Sequence, residues 1–279
     1  MDSVAHKQRG LRTNDTGSRA PLAALLPAVL GLALLVFPLI ALISRASWST
    51  LWQDITSETA LQALGLSFGT ALAATVLCVL FGVPLALLMA RSSARTSALL
   101  RTLVAVPLVL PPMVGGVALL FLFGRSSPIG QAIDSLWGIT LPFTTPAVVL
   151  AQAFVALPFL VLAVEGTLRG SGVRYEQAAA GLGAGRWMVL TRITLPLAAP
   201  GLLAGVILSF ARALGEFGAT ALFAGNAPGV TQTMPLAIYT AFNGGGDGRG
   251  PAVALSLLLL AAALLVLLTL RAWRPGALK

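Results

Sequence analysis

Apolar residues run in six long blocks, 22–43, 61–90, 102–123, 146–168, 197–223 and 251–270, divided by short polar segments. A helix needs about 20 consecutive apolar residues to cross a bilayer core, so the pattern predicts six membrane-spanning helices. Between the fourth and fifth blocks the period changes. Tyr175, Ala178, Ala179 and Leu182 fall at i, i+3, i+4 and i+7, one face of a short helix. Ser171 is placed to cap its start, and Glu176 lies in the first turns, where the helix dipole favours an anion. Gly183 suits the left-handed position after a helix end. A second short helix is expected over Ala184–Leu190, with Pro196 near the first position of the fifth span, where its missing N–H costs nothing. The result is a helix–turn–helix projecting from the membrane. It reads either as a docking handle for another protein or as an ordinary connecting loop.

Composition sharpens the fold class. Of 279 residues, 57% are hydrophobic and 10% charged, with a mean hydropathy of +0.91. A soluble domain carries roughly 25% charged residues. The expected class is therefore an all-α integral membrane protein with six transmembrane helices. The net charge of +9 does not indicate nucleic-acid binding, because the basic residues stand in small groups between apolar runs. They fit the positive-inside rule. Lys7, Arg9, Arg12, Arg19, Arg91, Arg95, Arg101, Arg169, Arg174, Arg186, Arg192, Arg271, Arg274 and Lys279 fall on one side, against Arg45, Arg125 and Arg249 on the other. Both termini are then cytoplasmic. The division is a tail over 1–20, a six-helix domain over 21–271 with a cytoplasmic loop at about 171–196, and a tail over 272–279. Block 22–43 is too long for a signal-peptide core and reads as a retained span, with cleavage near 44–46 as the minor alternative.

Other features depend on that orientation. Trp48, Trp52 and Trp137 fall on the outer side and Trp187 and Trp273 on the inner, as an aromatic belt requires, and the outer loops hold Asp54, Glu58, Asp134 and Asp247. In the outer segment 126–137, Ser127 is an N-cap and Pro128 a first helical residue, while Ile129, Ala132, Ile133 and Leu136 share a face. A short helix on the outer membrane surface is expected there.

Candidate chemistry within the spans is sparse. The run 107–116, PLVLPPMVGG, contains Pro111, Pro112 and Gly115, and proline within a span frees a carbonyl that must find another partner. The run reads as a kinked helix lining a cavity, or as close packing through small residues. Arg212 and Glu216 stand four apart on the fifth span, with Arg212 about 22 Å above residue 197 and towards the outer leaflet. They read as an outer gate, or as a self-neutralising pair that fixes span five. Glu165, near the inner end of span four, reads as a snorkelling carboxylate. The lone Cys78 is a buried, inert thiol, and the lone His6 lies in a polar tail, so no zinc, haem or Ser-His-Asp site is expected. The only lysines are Lys7 and Lys279, and neither lies in the frame of a phosphate-binding loop. The chain is expected to be a transporter subunit and not an enzyme, with energy supplied by a partner.

Gln177-Ala178-Ala179, then Gly183, Ile193, Leu195 and Pro196, reproduce the spacing of a loop motif. The segment resembles the EAA loop of binding-protein-dependent ABC-importer permeases, with Gln177 where that family usually has Glu and Glu176 one residue earlier. The runs 107–124 and 211–239, the latter with GEFGAT, AGN and TQT, are similar to the molybdate permease branch, kin of the sulfate permeases. The likeness covers roughly 60–270. It implies the type I importer permease fold and a multi-pass protein of the bacterial cytoplasmic (inner) membrane. It further implies a homodimer lining the pathway and separate ATPase subunits that bind the ATP, with no cofactor on this chain. Residues about 173–190 would dock on the ATPase, and an extracytoplasmic oxyanion-binding protein would select the substrate. The loop 224–250, with Asn226, Thr231, Gln232, Thr233 and Asn243, either meets that protein or forms a short re-entrant helix packed on the spans. Sulfate/thiosulfate or tungstate transport is the alternative within the family. An ion-coupled secondary transporter is the alternative outside it, for which the spans offer no clear midplane ionisable residues beyond Arg212 and Glu216.

Overall fold

The computed structural model describes residues 22–171, 174–244 and 249–272. The tail residues named above, His6, Lys7, Arg9, Arg12, Arg19, Trp273, Arg274 and Lys279, lie outside the described residues. So do Asp247 and positions 172–173 of the expected coupling loop. The chain divides into two compact units, Met1–Arg45 and Ala46–Lys279. In the first, α1 (Leu22–Ser44) is apolar on every side, the composition of a helix surrounded by lipid or other helices.

The second unit is helical throughout its regular elements. They are α2 (Leu51–Ile55), α3 (Glu58–Arg91), α4 (Ala94–Val109), α5 (Pro112–Phe123), α6 (Pro128–Trp137), α7 (Thr145–Ser171), α8 (Arg174–Gly181), α9 (Arg186–Val189), a π turn (Leu190–Thr194), α10 (Leu195–Leu214), α11 (Gly218–Phe223), α12 (Met234–Asn243) and α13 (Gly250–Ala272). Serine caps mark three starts: Ser57 accepts from Ala60 N, Ser93 from Thr96 N and Ser127 from Gly130 N. Helix α6 thus begins where its Ser-Pro pair predicts. Its apolar residues Ile129 and Leu136 are exposed in the single chain.

Two expected spans are broken. The block 102–123 is not one helix. It divides into α4 and α5, which meet at 110°. Leu110 and Pro111 each precede a proline, and the proline ring pushes the preceding residue out of the helical region. Both are extended, with ψ of 135° and 132°. The block 197–223 is also not continuous. Helical structure begins earlier, at Arg186, stops at Leu214, and resumes only over α11. Pro196 is the second residue of α10, in the first turn as expected. Helical structure does not begin there, however, because a π turn in which Leu195 N donates to Leu190 O joins α9 to α10. Ser171 does not cap α8 either. It ends α7, and its hydroxyl donates to Thr167 O at 2.8 Å.

Among the described residues, four helical segments are long and apolar enough to cross a membrane: α1, α3, α7 and Arg186–Leu214. The α4–α5 pair makes a fifth if it counts as one bent span, and the apolar part of α13, Gly250–Val266, is shorter. The core of the second unit is α3, α7 and α10 packed side by side. Ala71, Ala74, Cys78, Ala156, Leu160, Val161, Val164 and Ala213 fill it. Small residues permit the approach. A Cβ on Gly201 would overlap Thr167 Oγ1, and one on Gly82 would lie 2.7 Å from Leu160 Cδ2.

Candidate functional site

From Arg174 onward, the segment leading to α10 folds as a hook of two short helices. Helix α8 ends in a Schellman turn: Ala184 N donates to Ala179 O and Gly183 N to Ala180 O, each at 3.0 Å. Gly183 has φ of +86°, the left-handed conformation expected of it. The chain then turns at Gly185, the N-cap of α9, and continues through the π turn into α10.

Helix α8 has no buried residue, and its apolar face is open. Tyr175, Ala178 and Leu182, three of the four residues on its apolar face, are exposed, Leu182 at 90%, and Ala179 is half-buried. Trp187 on α9 is 75% exposed, so it extends this apolar surface and does not settle into the chain. Arg174, Arg186 and Arg192 are exposed beside it. Glu176 faces the other way. Its Oε1 accepts from Arg91 at 3.0 Å and from the Thr194 hydroxyl at 2.6 Å. Gln177 is exposed, Ile193 and Leu195 are half-buried, and Pro196 is exposed. The loop residues thus separate into an inward anchor and an outward surface.

A second charged cluster lies at the same end of the bundle. Glu165 is 1% exposed and does not snorkel. Its carboxylate accepts from Arg101 at 2.7 and 2.8 Å and from Arg169 Nε at 2.6 Å. Arg169 also donates to Ser97 Oγ and, at 3.5 Å, to Met89 O. A carboxylate that reached water would need no such partners. Here two arginines are drawn onto it, so α4, α7 and α3 are joined. Sequence reasoning missed this cluster, although the i, i+4 spacing of Glu165 and Arg169 was a readable signal.

The two broken spans meet elsewhere. A Cβ on Gly218 would lie 3.1 Å from Pro112 Cβ, and one on Gly116 only 2.7 Å from Ala219 O, so α5 and α11 touch backbone to backbone. Gly115 faces Phe154 of α7. Glu216 lies in the gap between α10 and α11, beyond the helix that was expected to carry it. Its Oε1 accepts from Ala219 N at 2.8 Å, capping α11. Its Oε2 lies 2.7 Å from Arg212, an ion-pair contact more than a directed hydrogen bond. Arg212 and Glu216 therefore fix the corner at which the span breaks, and Pro111, Pro112 and Gly115 form the facing corner. Pro111 and Pro112 are exposed in the single chain. Nearby elements carry buried polar groups without protein partners: the Gln152 amide and the Thr220 and Thr233 hydroxyls.

The polar loop after α11 folds onto the spans. Met234 N donates to Ser67 Oγ at 2.7 Å, Thr145 Oγ1 to Val230 O at 2.8 Å, and Gln232 to Asn226 Oδ1 at 3.0 Å. Thr231 and Thr233 are buried, and Asn243 is exposed. Of the two expected readings, the short helix packed on the spans matches α12. A cleft of about 310 Å³ opens there, lined by Asp54, Ser57, Thr59, Gln232 and Thr240. Among the described residues, no group of three or more His, Cys, Asp or Glu stands together to hold a metal.

Comparisons with known proteins agree with this architecture. The chain is 50% identical over 250 residues to the molybdenum transport system permease protein ModB of Mycobacterium tuberculosis, covering 90% of this chain and 93% of that one. It is 43% identical over 207 residues to ModB of Escherichia coli K12, covering 74% and 90%. A chain in the crystal structure of a bacterial alginate ABC transporter, in complex with an alginate pentasaccharide-bound periplasmic protein, superposes with a TM-score of 0.68 at 19% identity, over 89% of this chain and 91% of that one. The fold is that of the type I ABC-importer permeases. Residues 82–277 match the profile of the binding-protein-dependent transport system inner membrane component, and the chain belongs to that family of integral membrane permeases.

Proposed function

We propose that the chain is the membrane-spanning subunit of an ATP-driven molybdate importer. Two copies line one pathway, and two separate ATPase subunits drive it. Both termini lie on the cytoplasmic side with α8, the two tails flank a six-helix domain, and an extracytoplasmic binding protein delivers the anion to the opposite end. The observation that supports the ATPase contact is the exposed apolar face of α8. An apolar face turned away from the core, with Leu182 and Trp187 at its tip, lies open in water unless another protein covers it. The permeases of Mycobacterium tuberculosis and Escherichia coli named above support molybdate as the cargo. On this reading the α4–α5 and α10–α11 corners, where Pro111, Pro112, Gly115, Arg212 and Glu216 gather, lie along the pathway. Irregular backbone at membrane depth is stable only where it is packed in protein or lines a cavity.

The test is uptake of molybdate into vesicles holding the permease, the ATPase and the binding protein, with sulfate and tungstate as competitors. Uptake should require ATP and all three components, and tungstate should compete better than sulfate. Leu182→Asp should release the ATPase and abolish uptake, because its side chain has nothing else to disturb. ATP-independent uptake by the permease alone, or preferential competition by sulfate, would overturn the assignment.

A further inference from the structure

The one carboxylate of the coupling loop points into the permease. Glu176 Oε1, Arg91 and Thr194 Oγ1 form a closed triangle of hydrogen bonds, with Arg91 donating to Thr194 at 3.2 Å as well. Arg91 is the last residue of α3, and Thr194 is buried in the π turn at the root of α10. Gln177, next in sequence and about 100° further round the helix, is exposed. We propose that Glu176 is a positioning residue. It locks α8 to α3 and to the root of α10, so that movement of the loop passes to both spans, while uncharged Gln177 and the apolar tip meet the ATPase. The proposal rests on the ATPase-docking reading of α8.

The connections extend beyond the triangle. Met89 O, two residues before Arg91, accepts from Arg169, which holds Glu165, which holds Arg101 of α4. A strip of polar contacts thus runs from α8 across α3 and α7 to the helix that leads into the 110° corner. Its two carboxylates differ in environment. The Glu165 side chain is 1% exposed, whereas those of Glu176 and Arg91 are 21% and 48% exposed. Water reaches the Glu176 carboxylate more readily than the buried Glu165 carboxylate, so the Glu176 contacts are the easier to replace. The strip therefore has a fixed end at α4 and a releasable end at the loop, as a latch between two loop positions requires.

The experiment uses the complete transporter in lipid vesicles and reads molybdate moved per ATP hydrolysed together with the amount of ATPase subunit bound. Glu176→Gln and Thr194→Val should each retain the ATPase yet lower molybdate per ATP by about tenfold, the equivalent of about 1.4 kcal/mol of coupling. The exchange Arg91→Glu with Glu176→Arg rebuilds the pair in reverse and should recover most of that loss, which a purely structural defect would not allow. Release of the ATPase by Glu176→Gln would make Glu176 a direct contact and overturn the proposal. So would an unchanged ratio in both single variants, or an exchange no better than either of its parents. Leu182→Asp separates the two readings. If that variant keeps both ATPase and uptake, the docking surface is wrong, and the latch has no loop movement to transmit.

Discussion

Replacing Glu165 with Gln tests whether the inner ends of α3, α4 and α7 are held by charge. The side chain keeps its shape and an acceptor oxygen, but two guanidiniums lose their counter-ion. Removing one partner from a fully buried ion pair costs about 3–5 kcal/mol, because the remaining charge is stranded. Here the stranded groups are Arg101 and Arg169, 51% and 44% exposed, which water can partly resolvate. Discounting for that solvation leaves about 1–2 kcal/mol. For a chain of this size the shift in Tm is about 2–8 °C downward. The assay is thermal unfolding of the detergent-purified protein, followed as loss of the monodisperse peak. Arg101→Gln should cost less than Glu165→Gln, since it strands no fully buried group that Arg169 cannot still satisfy. In the double variant the two losses should fall short of additive, because both remove the same contact. A drop of less than about 1 °C for Glu165→Gln, with additive behaviour in the cycle, would refute the buried-cluster account and return Glu165 to a solvated role.

Two other substitutions separate backbone from contact effects. Gly183→Ala places a Cβ where nothing lies within 4 Å, so its whole cost is the left-handed backbone at φ +86°, about 1–2 kcal/mol; ATPase binding should weaken several-fold, and Gly183→Asn, which tolerates that conformation, should recover part of it in the same pull-down. Gly201→Ala forces a methyl group onto Thr167 at the α7–α10 contact and should destabilise by about 1–3 kcal/mol. A second substitution, Thr167→Ala, should relieve part of that loss in thermal unfolding.

Much of the protein was legible in linear sequence because the signals concerned are local. Apolar length marks a membrane-length helix whatever its neighbours, so α1, α3 and α7 fall where the blocks predict. The left-handed Gly183 and the Ser127-Pro128 start of α6 depend only on adjacent backbone, and both stand as expected. The spacing of Ala178, Ala179, Gly183, Ile193, Leu195 and Pro196 marked the loop through its resemblance to the importer-permease motif, and of these Gly183 has a plain backbone reason in its left-handed φ. Tertiary structure decided what depends on groups distant in the chain. Periodicity placed Tyr175 and Leu182 on one face of α8 but could not say which way that face turns, because the answer lies in Arg91, 85 residues from Glu176, and in Thr194 across the turn. Glu165 reads as a snorkelling carboxylate until Arg101, 64 residues away, arrives beside it. The same holds for the two corners: Pro111 and Pro112 foretold a kink, but its 110° angle and its meeting with Gly218 come from packing. A charge or a bend is fixed locally in kind, whereas its partner and direction are set only when the helices close around it.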